Sequence, residues 1–539
     1  MSESPMRGRG CGLPCLVILA IVAGALLVNQ EQAPLRSRHE ARVLETARGM
    51  IASGDFLLPR LLGEPRLQKP PLAYWGSALA FAAAGRPSEP AARSVVALLA
   101  LLMLAATWRL GALLGGPRLG TLAMALLASA PLFLKEFRRV TPDVYLAAFT
   151  TLAVAAHLSA RRAQGRWGIR SWFLTGDLML ALALLAKGPI ALAYVGTGVA
   201  ALRGWARREA GDASAANLRP GPVFHLGGFL LSLLPLVIWA LLVIRRLPGG
   251  LDVWWHEMGS RFSPNETSRS PLVYGTGLLL LSLPWTPLAL LALFTRGTEK
   301  RPERWWLLAG LVFLCLLSSR KVAYLLPLAP AIALLGARGL LAACDAPRAR
   351  PFAMTLGALR PLIVGGALIL CGVGAARHQW LSWAALGVGS LLCLLALGAG
   401  LFPLALGRQG GGTTPPHQEV PQRPDLRTGV LVALALFAAV FWTSFLEARR
   451  PRDLSLVNLG RLLRGRMPPG ATLTQVGIHR PALAFHSRHP AAHLRSAAEL
   501  DPEFRGWVIL RADQVSGLRH LRVAVRVPSR GLVVMAPEE

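Results

Sequence analysis

A handful of short stretches hold most of the uncommon polar chemistry in this chain. Ser37-Arg38-His39-Glu40-Ala41-Arg42 brings together an imidazole, a carboxylate and two guanidinium groups, and His39 and Arg42, three apart, share one face of a helix. In Gln68-Lys69-Pro70-Pro71 the prolines stop any helix before them and suit the first turn of one after them. Lys69 thereby stands at a helix entrance, where backbone N–H groups favour an anion. Thr141-Pro142-Asp143 opens an apolar run with an acid beside Arg138 and Arg139, and Lys187-Gly188-Pro189 interrupts two more. Trp254–Phe262 mixes aromatic and titratable side chains, and Ser319-Arg320-Lys321-Val322-Ala323-Tyr324 separates two apolar runs. Each has a structural explanation of its own. Ser37 and Glu40 match a capping box, Thr141 or Asp143 suits a helix cap, and Lys187 either snorkels or faces a cavity. Tyr74 and Trp75 suit interfacial anchors, and His39 and Arg42 a solvated surface.

The elements that position these groups follow from composition. Of 539 residues, 53% are hydrophobic and only 16% charged, yet 58 Lys and Arg against 28 Asp and Glu leave a formal charge of +30. A soluble globule is nearer ~25% charged, and a disordered polyelectrolyte is far less apolar. The basic residues are spread along the chain rather than gathered on one polar module, which argues against nucleic-acid binding. A polytopic membrane protein fits. Apolar runs of spanning length fall near 13–29, 93–114, 118–135, 143–160, 172–186, 188–203, 223–244, 272–295, 304–318, 322–342, 358–375, 381–406 and 428–446. Residues 71–84 read as a short re-entrant or interfacial helix, and 38–52 as an amphipathic helix on the membrane surface. The first run has a basic start but no small-residue cleavage pattern after it, so it is expected to stay attached.

With the N-terminus in the cytoplasm, every loop that counts as inside carries net positive charge, for example Arg161, Arg162, Arg166 and Arg170. An odd number of spans then places the C-terminal segment outside. The segments on that outer side (30–92, 136–142, 245–271 and 319–321) are also basic, against the topology rule, and they contain the chemistry described above. A bound anion would explain them. Residues 1–446 read as the membrane domain and 407–427 as a flexible Gly/Pro-rich cytoplasmic loop. The segment 447–539 reads as an α/β domain with a helical pattern at Leu454–Leu463 and strands near 472–477, 507–511, 521–527 and 531–535. The six cysteines lie in or beside spans and imply no disulfide framework.

The order of these stretches resembles the lipid A aminoarabinose transferase and related polyprenyl-phosphate-dependent membrane glycosyltransferases, with kinship to protein O-mannosyltransferases. The resemblance is carried by HEARVLETARGMIASGDFLLP, QKPPLAYW, TPDVYLAAF, LAKGPIAL, HEMGSRF followed by LPW at 283–285, and SSRKVAYLLPLAP, from about residue 39 to 330. It implies an all-α polytopic C-type glycosyltransferase fold of about 13 transmembrane helices with a small extracytoplasmic α/β C-terminal domain. It implies a multi-pass protein of the cell (inner) membrane and a sugar donor linked to undecaprenyl phosphate. The acceptor would be an extracytoplasmic glycolipid, polysaccharide or protein. Carried over by position, Glu40 and Arg42 match the end of the family's Asp-Glu-x-Arg motif, Lys69 its Lys-Pro lysine and Asp143 its second loop acid. Arg261, Lys321 and Tyr324 match positions around the donor phosphate.

Three departures stand out. His39 replaces the family's first Asp, Gln68 a Glu before the lysine, and Met258 a His that can hold zinc with that Glu. No metal or other cofactor is therefore assigned. Proton removal from the acceptor falls to His39, Glu40 or Asp143, with a catalytically divergent or inactive family member as the alternative reading. A lipid or polysaccharide transporter ranks behind, because no duplicated halves appear.

Overall fold

The computed structural model describes residues 12–27, 37–209, 221–259, 270–282, 301–345, 454–501, 504–515, 521–527 and 530–538, with isolated positions between these stretches. The expected spans at 358–375, 381–406 and 428–446, the loop 407–427, the LPW stretch and Arg261 lie outside the described residues.

The membrane part is helical: α1 (Leu13–Leu27), then α2 (Arg38–Ser53), a small hairpin of β1 (Arg60–Leu61) and β2 (Glu64–Pro65), and α3 (Leu72–Ala83). There follow α4 (Glu89–Gly115), α5 (Pro117–Ser129), α6 (Pro131–Glu136), α7 (Pro142–Arg162), α8 (Arg166–Lys187), α9 (Ile190–Glu209) and α10 (Pro222–Arg246). Next come α11 (Gly250–Gly259), α12 (Val273–Ser282), α13 (Pro302–Leu316), a 3₁₀ segment (Val322–Leu328) and α14 (Ala329–Asp345). Among the described residues, five stretches are long and apolar enough to cross a membrane: Glu89–Gly115, Pro142–Arg162, Arg166–Lys187, Pro222–Arg246 and Val322–Ala342. At 21 to 27 residues each, they reach ~30 Å or more at 1.5 Å per residue.

Their packing is that of helices in hydrocarbon. α10 leaves Leu226, Leu230, Leu234 and Leu241 exposed, an apolar face suited to lipid rather than water. Where α4 meets α5 the backbones nearly touch: a Cβ added to Gly111 would sit 2.6 Å from the Gly120 Cα. Small residues permit that approach. On α7, the Thr150 and Thr151 hydroxyls donate to the carbonyls of Leu146 and Ala147, so neither is left unsatisfied in the apolar interior.

Two expected spans are built differently. The stretch 118–135 is two helices broken at Ala130, whose extended backbone (φ −66°, ψ 123°) is what a residue before proline adopts. The stretch 322–342 starts as the 3₁₀ segment, with Pro327 inside it, before α14 takes over.

The C-terminal part contains α15 (Leu454–Arg466), β3 (Leu473–Val476), α16 (Pro481–Ser487), β4 (Ala491–Leu494), β5 (Trp507–Arg511), β6 (Leu521–Val527) and β7 (Leu532–Pro537). The sheet runs β4-β3-β5-β7-β6. β4, β3 and β5 are parallel, and β7 and β6 are antiparallel to their neighbours. Alternation along the strands feeds two cores. Ile509 and Val534 meet Leu459 and Leu463 of α15 on one face, while Val508, Leu510, Val533 and Met535 bury against the other. The four strands expected from the sequence are present; β4 and α16 are additional.

This domain rests on the first loop. The Phe485 ring lies 6.0 Å from that of Phe81 on α3, and Arg48 of α2 donates to the His489 carbonyl oxygen at 3.1 Å.

Candidate active site

α2 begins at Ser37, whose hydroxyl accepts from the Glu40 N–H at 3.1 Å. That is half of the expected capping box. The other half is absent, because the Glu40 carboxylate is occupied elsewhere. Buried without solvent contact, it accepts from Arg93 Nε at 2.9 Å, from Arg93 Nη2 at 3.2 Å and from the Val140 N–H at 3.3 Å. Arg93 also donates to the Gln30 carbonyl at 3.0 Å. Glu40, fully buried, thus ties α2 to α4 and to the loop before α7.

One turn of side chain away, the polar groups converge. Asp143, in the first turn of α7, is ion-paired with Lys187, in the last turn of α8. The Lys187 ammonium also lies over the Tyr324 ring, 3.9 Å from its centroid, a cation–π arrangement that a buried ammonium favours. Tyr324 is fixed in turn by Tyr194, whose hydroxyl donates to the Tyr324 carbonyl at 2.6 Å. Asp143 is also within electrostatic reach of Lys321 and Lys69. His39 sits among Lys321, Arg42, Asp143 and Arg66, and partial burial together with the Lys321 and Arg42 charges lowers its pKa from 6.5 to about 4. It is therefore a neutral imidazole at physiological pH. The pKa of Arg42 is lowered by burial and then by the charges of Arg66 and Arg38. Three lysines (Lys69, Lys187 and Lys321) thus face the Asp143 carboxylate, and Arg42 and Arg66 join Lys321 beside His39.

The loop between α2 and α3 forms one wall. Asp55 folds its start by accepting from the Leu57 and Leu58 N–H groups at 3.0 and 3.2 Å, and Arg246 of α10 reaches the same oxygen at 3.2 Å. Three indoles strap the remainder. Trp75 donates to the Phe56 carbonyl at 2.8 Å, Trp239 to that of Leu57 at 3.0 Å and Trp254 to that of Leu67 at 2.8 Å. Arg66 Nε lies 3.1 Å from the Tyr74 hydroxyl.

Below this wall lies an apolar cavity of about 340 Å³, lined by Leu67, Pro70, Pro189, Trp239, Trp254, Phe313 and Leu317, with Gln68 and Lys187 also on its lining. An elongated hydrocarbon fits such a space, and the cation cluster adjoins it. Among the described residues, no three His, Cys, Asp or Glu side chains gather as a metal site.

Of the residues singled out in the sequence, His39, Arg42, Lys69, Asp143, Lys321 and Tyr324 share this one neighbourhood, and Glu40 braces it from behind. Sequence reasoning missed Arg66, which no motif marks. It left Lys187 between snorkelling and facing a cavity, and the ion pair with Asp143 decides for the second.

The dolichyl-phosphate-mannose-protein mannosyltransferase family matches residues 38–247. The undecaprenyl phosphate-alpha-4-amino-4-deoxy-L-arabinose arabinosyl transferase 1 of Sodalis glossinidius (strain morsitans) is 29% identical over 417 residues, covering 74% of this chain and 67% of that protein. The corresponding transferase of Pectobacterium carotovorum subsp. carotovorum (strain PC1) is 25% identical over 500 residues, covering 90% and 79%. The chain is a glycosyltransferase resembling the polyprenyl-phosphate-dependent aminoarabinose transferases. Its fold is that of ArnT from Cupriavidus metallidurans, solved with undecaprenyl phosphate bound. The glycosyltransferase superposes on that structure with a TM-score of 0.72 at 21% identity, covering 97% of this chain and 99% of that one.

Proposed function

We propose that this glycosyltransferase moves a sugar from a polyprenyl-phosphate donor to an acceptor hydroxyl on the extracytoplasmic side of the cell membrane. The single observation that carries the reading is the juxtaposition of five cationic side chains with an apolar cavity, which matches a phosphate joined to a long hydrocarbon. The donor named for the bacterial relatives supports it.

In this reading the polyprenyl chain lies against Trp239, Trp254 and Phe313, and the phosphate meets Lys69, Lys321 and Arg42, with Arg261 added from the resemblance. The acceptor oxygen attacks the anomeric carbon as the carbon–oxygen bond to phosphate breaks. The electron pair of that bond leaves on the lipid phosphate, where preorganised ammonium and guanidinium groups stabilise the charge as it develops. His39, neutral and close to Asp143, receives the acceptor proton. Asp143 holds Lys187 and Lys321 in position, and Tyr324 backs Lys187. The loop 30–92 and the C-terminal domain are assigned to the outer side and the N-terminus to the cytoplasm. The acceptor is a glycolipid, a polysaccharide or a protein.

The experiment is transfer from radiolabelled polyprenyl-phosphate sugar in proteoliposomes. Lys69→Ala is expected to raise the donor KM and lower kcat. Unchanged kinetics would remove Lys69 from the phosphate site. Envelope glycolipids and glycoproteins compared by mass spectrometry with and without the gene identify sugar and acceptor.

A further inference from the structure

The carboxylates of the reaction centre and its walls are already engaged, among the described residues. Asp143 is ion-paired with Lys187 and has Lys321 and Lys69 within electrostatic reach. Arg93 closes off Glu40, and Arg48 closes off Glu45. Asp55 accepts from the Leu57 and Leu58 N–H groups and from Arg246. Glu136, the buried last residue of α6, has Arg139 at 3.9 Å.

Two polar side chains beside the cations add no negative charge. Gln68 lies on the lining of the apolar cavity with Lys187, and its backbone carbonyl accepts from Lys69 Nζ at 2.9 Å. His39, between Lys321, Arg42, Asp143 and Arg66, is a neutral imidazole at physiological pH. A phosphodiester donor offsets one of the cations and Asp143 a second, so positive charge stays in excess next to the anomeric carbon. A sugar ammonium brought into a partly buried place of that sign loses hydration and gains no counter-ion. Unfavourable charge of this kind is how a site rejects a ligand of similar shape. A hydroxyl at the same carbon meets no such penalty, because it accepts hydrogen bonds from ammonium and guanidinium groups.

We infer that the sugar moved by this enzyme carries no positive charge, and that an amino sugar of the kind for which the bacterial relatives are named is selected against. The inference rests on the donor reading above and deepens it, from a lipid-linked sugar to the class of sugar on the lipid.

The test uses the full chain in nanodiscs and two undecaprenyl-phosphate donors that differ in one group, L-arabinose and 4-amino-4-deoxy-L-arabinose. Each competes against radiolabelled undecaprenyl phosphate. Near pH 7 the arabinose donor is expected to bind about tenfold or more tightly than the amino donor, because like charges brought together are costly. Raising the pH to about 9 removes the proton from the sugar amine and leaves the guanidinium groups charged, so the two affinities should converge. Gln68→Glu, at an exposed position, places a carboxylate at the cavity edge. It is expected to narrow the preference by up to about fivefold, the range of an exposed ion pair. Equal affinities near pH 7, or tighter binding of the amino donor, would overturn the inference. A preference for arabinose that does not move with pH would overturn its electrostatic basis and assign the selection to shape. If neither donor displaces undecaprenyl phosphate, or undecaprenyl phosphate itself does not bind, the donor reading fails and this inference falls with it. If both displace it equally, the donor reading stands and the inference alone fails.

Discussion

Lys187, in the last turn of α8, gives its ammonium to Asp143 in the first turn of α7 and to the face of Tyr324. Its side chain is 2% exposed and that of Asp143 is 22% exposed. The two partners are therefore not equivalent. Asp143 has Lys321 and Lys69 in reserve, whereas among the described residues the carboxylate paired with Lys187 is Asp143 alone. Asp143→Asn should destabilise the fold by about 3–5 kcal/mol, the usual effect of stranding a buried charge. Lys187→Met should fold with a smaller loss and a weaker hold on the donor. Thermal unfolding in detergent and donor binding check the ordering; equal losses in both variants would show that the pair is symmetric.

The His39 imidazole stays neutral in the folded protein down to about pH 4. In the unfolded chain it takes up a proton near 6.5. Between those values the unfolded state binds more protons, so this group's contribution to stability falls as the pH is lowered from 6.5 to 4. The acid limb of kcat should likewise lie near pH 4 rather than 6.5. His39→Asp, which puts a carboxylate among Lys321, Arg42 and Arg66, should retain or raise activity. His39→Ala should lower kcat with little change in donor KM. A pH–rate profile of the three proteins tests this; an unchanged limb in His39→Ala would take the proton away from this residue.

Glu40 is expected to behave as a brace. Glu40→Gln takes from the buried Arg93 guanidinium its hydrogen-bonded counter-charge, leaving the weaker influence of Glu89, at a loss of up to about 3–5 kcal/mol. Glu40→Met combined with Arg93→Met should recover much of that. A double-mutant cycle on unfolding free energy reads the coupling, and kcat per folded molecule should stay close to that of the unaltered enzyme. A collapse of kcat in a stable double variant would return Glu40 to the chemistry.

Trp239→Phe keeps an aromatic ring in the cavity wall and deletes the bond to the Leu57 carbonyl. The net loss of one such hydrogen bond is about 1 kcal/mol. Because that bond fastens the wall over the lipid cavity, donor KM should rise more than kcat falls. The reverse pattern would mean that the strap shapes the reaction centre rather than the lipid site.

Much of the membrane part was legible because a spanning helix must be apolar over about 20 residues, a pattern that few other structures share. The amphipathic α2, the short α3 and four of the C-terminal strands were legible for similar reasons of period. Pro131 marked the break between α5 and α6, but a count of apolar residues passes over it. β4, with the sequence AAHL, lacks the β-branched and aromatic residues that identify a strand, and it exists because β3 offers it a parallel neighbour. The long-range partners were illegible. Glu40 finds Arg93 across 53 positions and Asp143 finds Lys187 across 44, and nothing local distinguishes these arginines and lysines from the many others. Glu40 was read as a cap because the nearby Ser37 is visible in sequence and the distant guanidinium is not. The Arg content of the tail was evident, but only the seating of the C-terminal domain over α2 brings Arg480, Arg511 and Arg530 to one place with Arg38 and Arg42.

That seating has a further consequence for how the protein comes to be. Arg48 and the His489 carbonyl that it holds are 441 positions apart. The first loop emerges well before the C-terminal domain in synthesis, yet one flank of its arginine-rich helix receives its cover from that domain. Until residues beyond 480 have been made and docked, the chain carries a membrane bundle with a bare basic shelf. Cover for that flank is thus tied to a part made 441 positions later. A truncation that spares every helix of the bundle would still strip α2 of the contact between Arg48 and the His489 carbonyl.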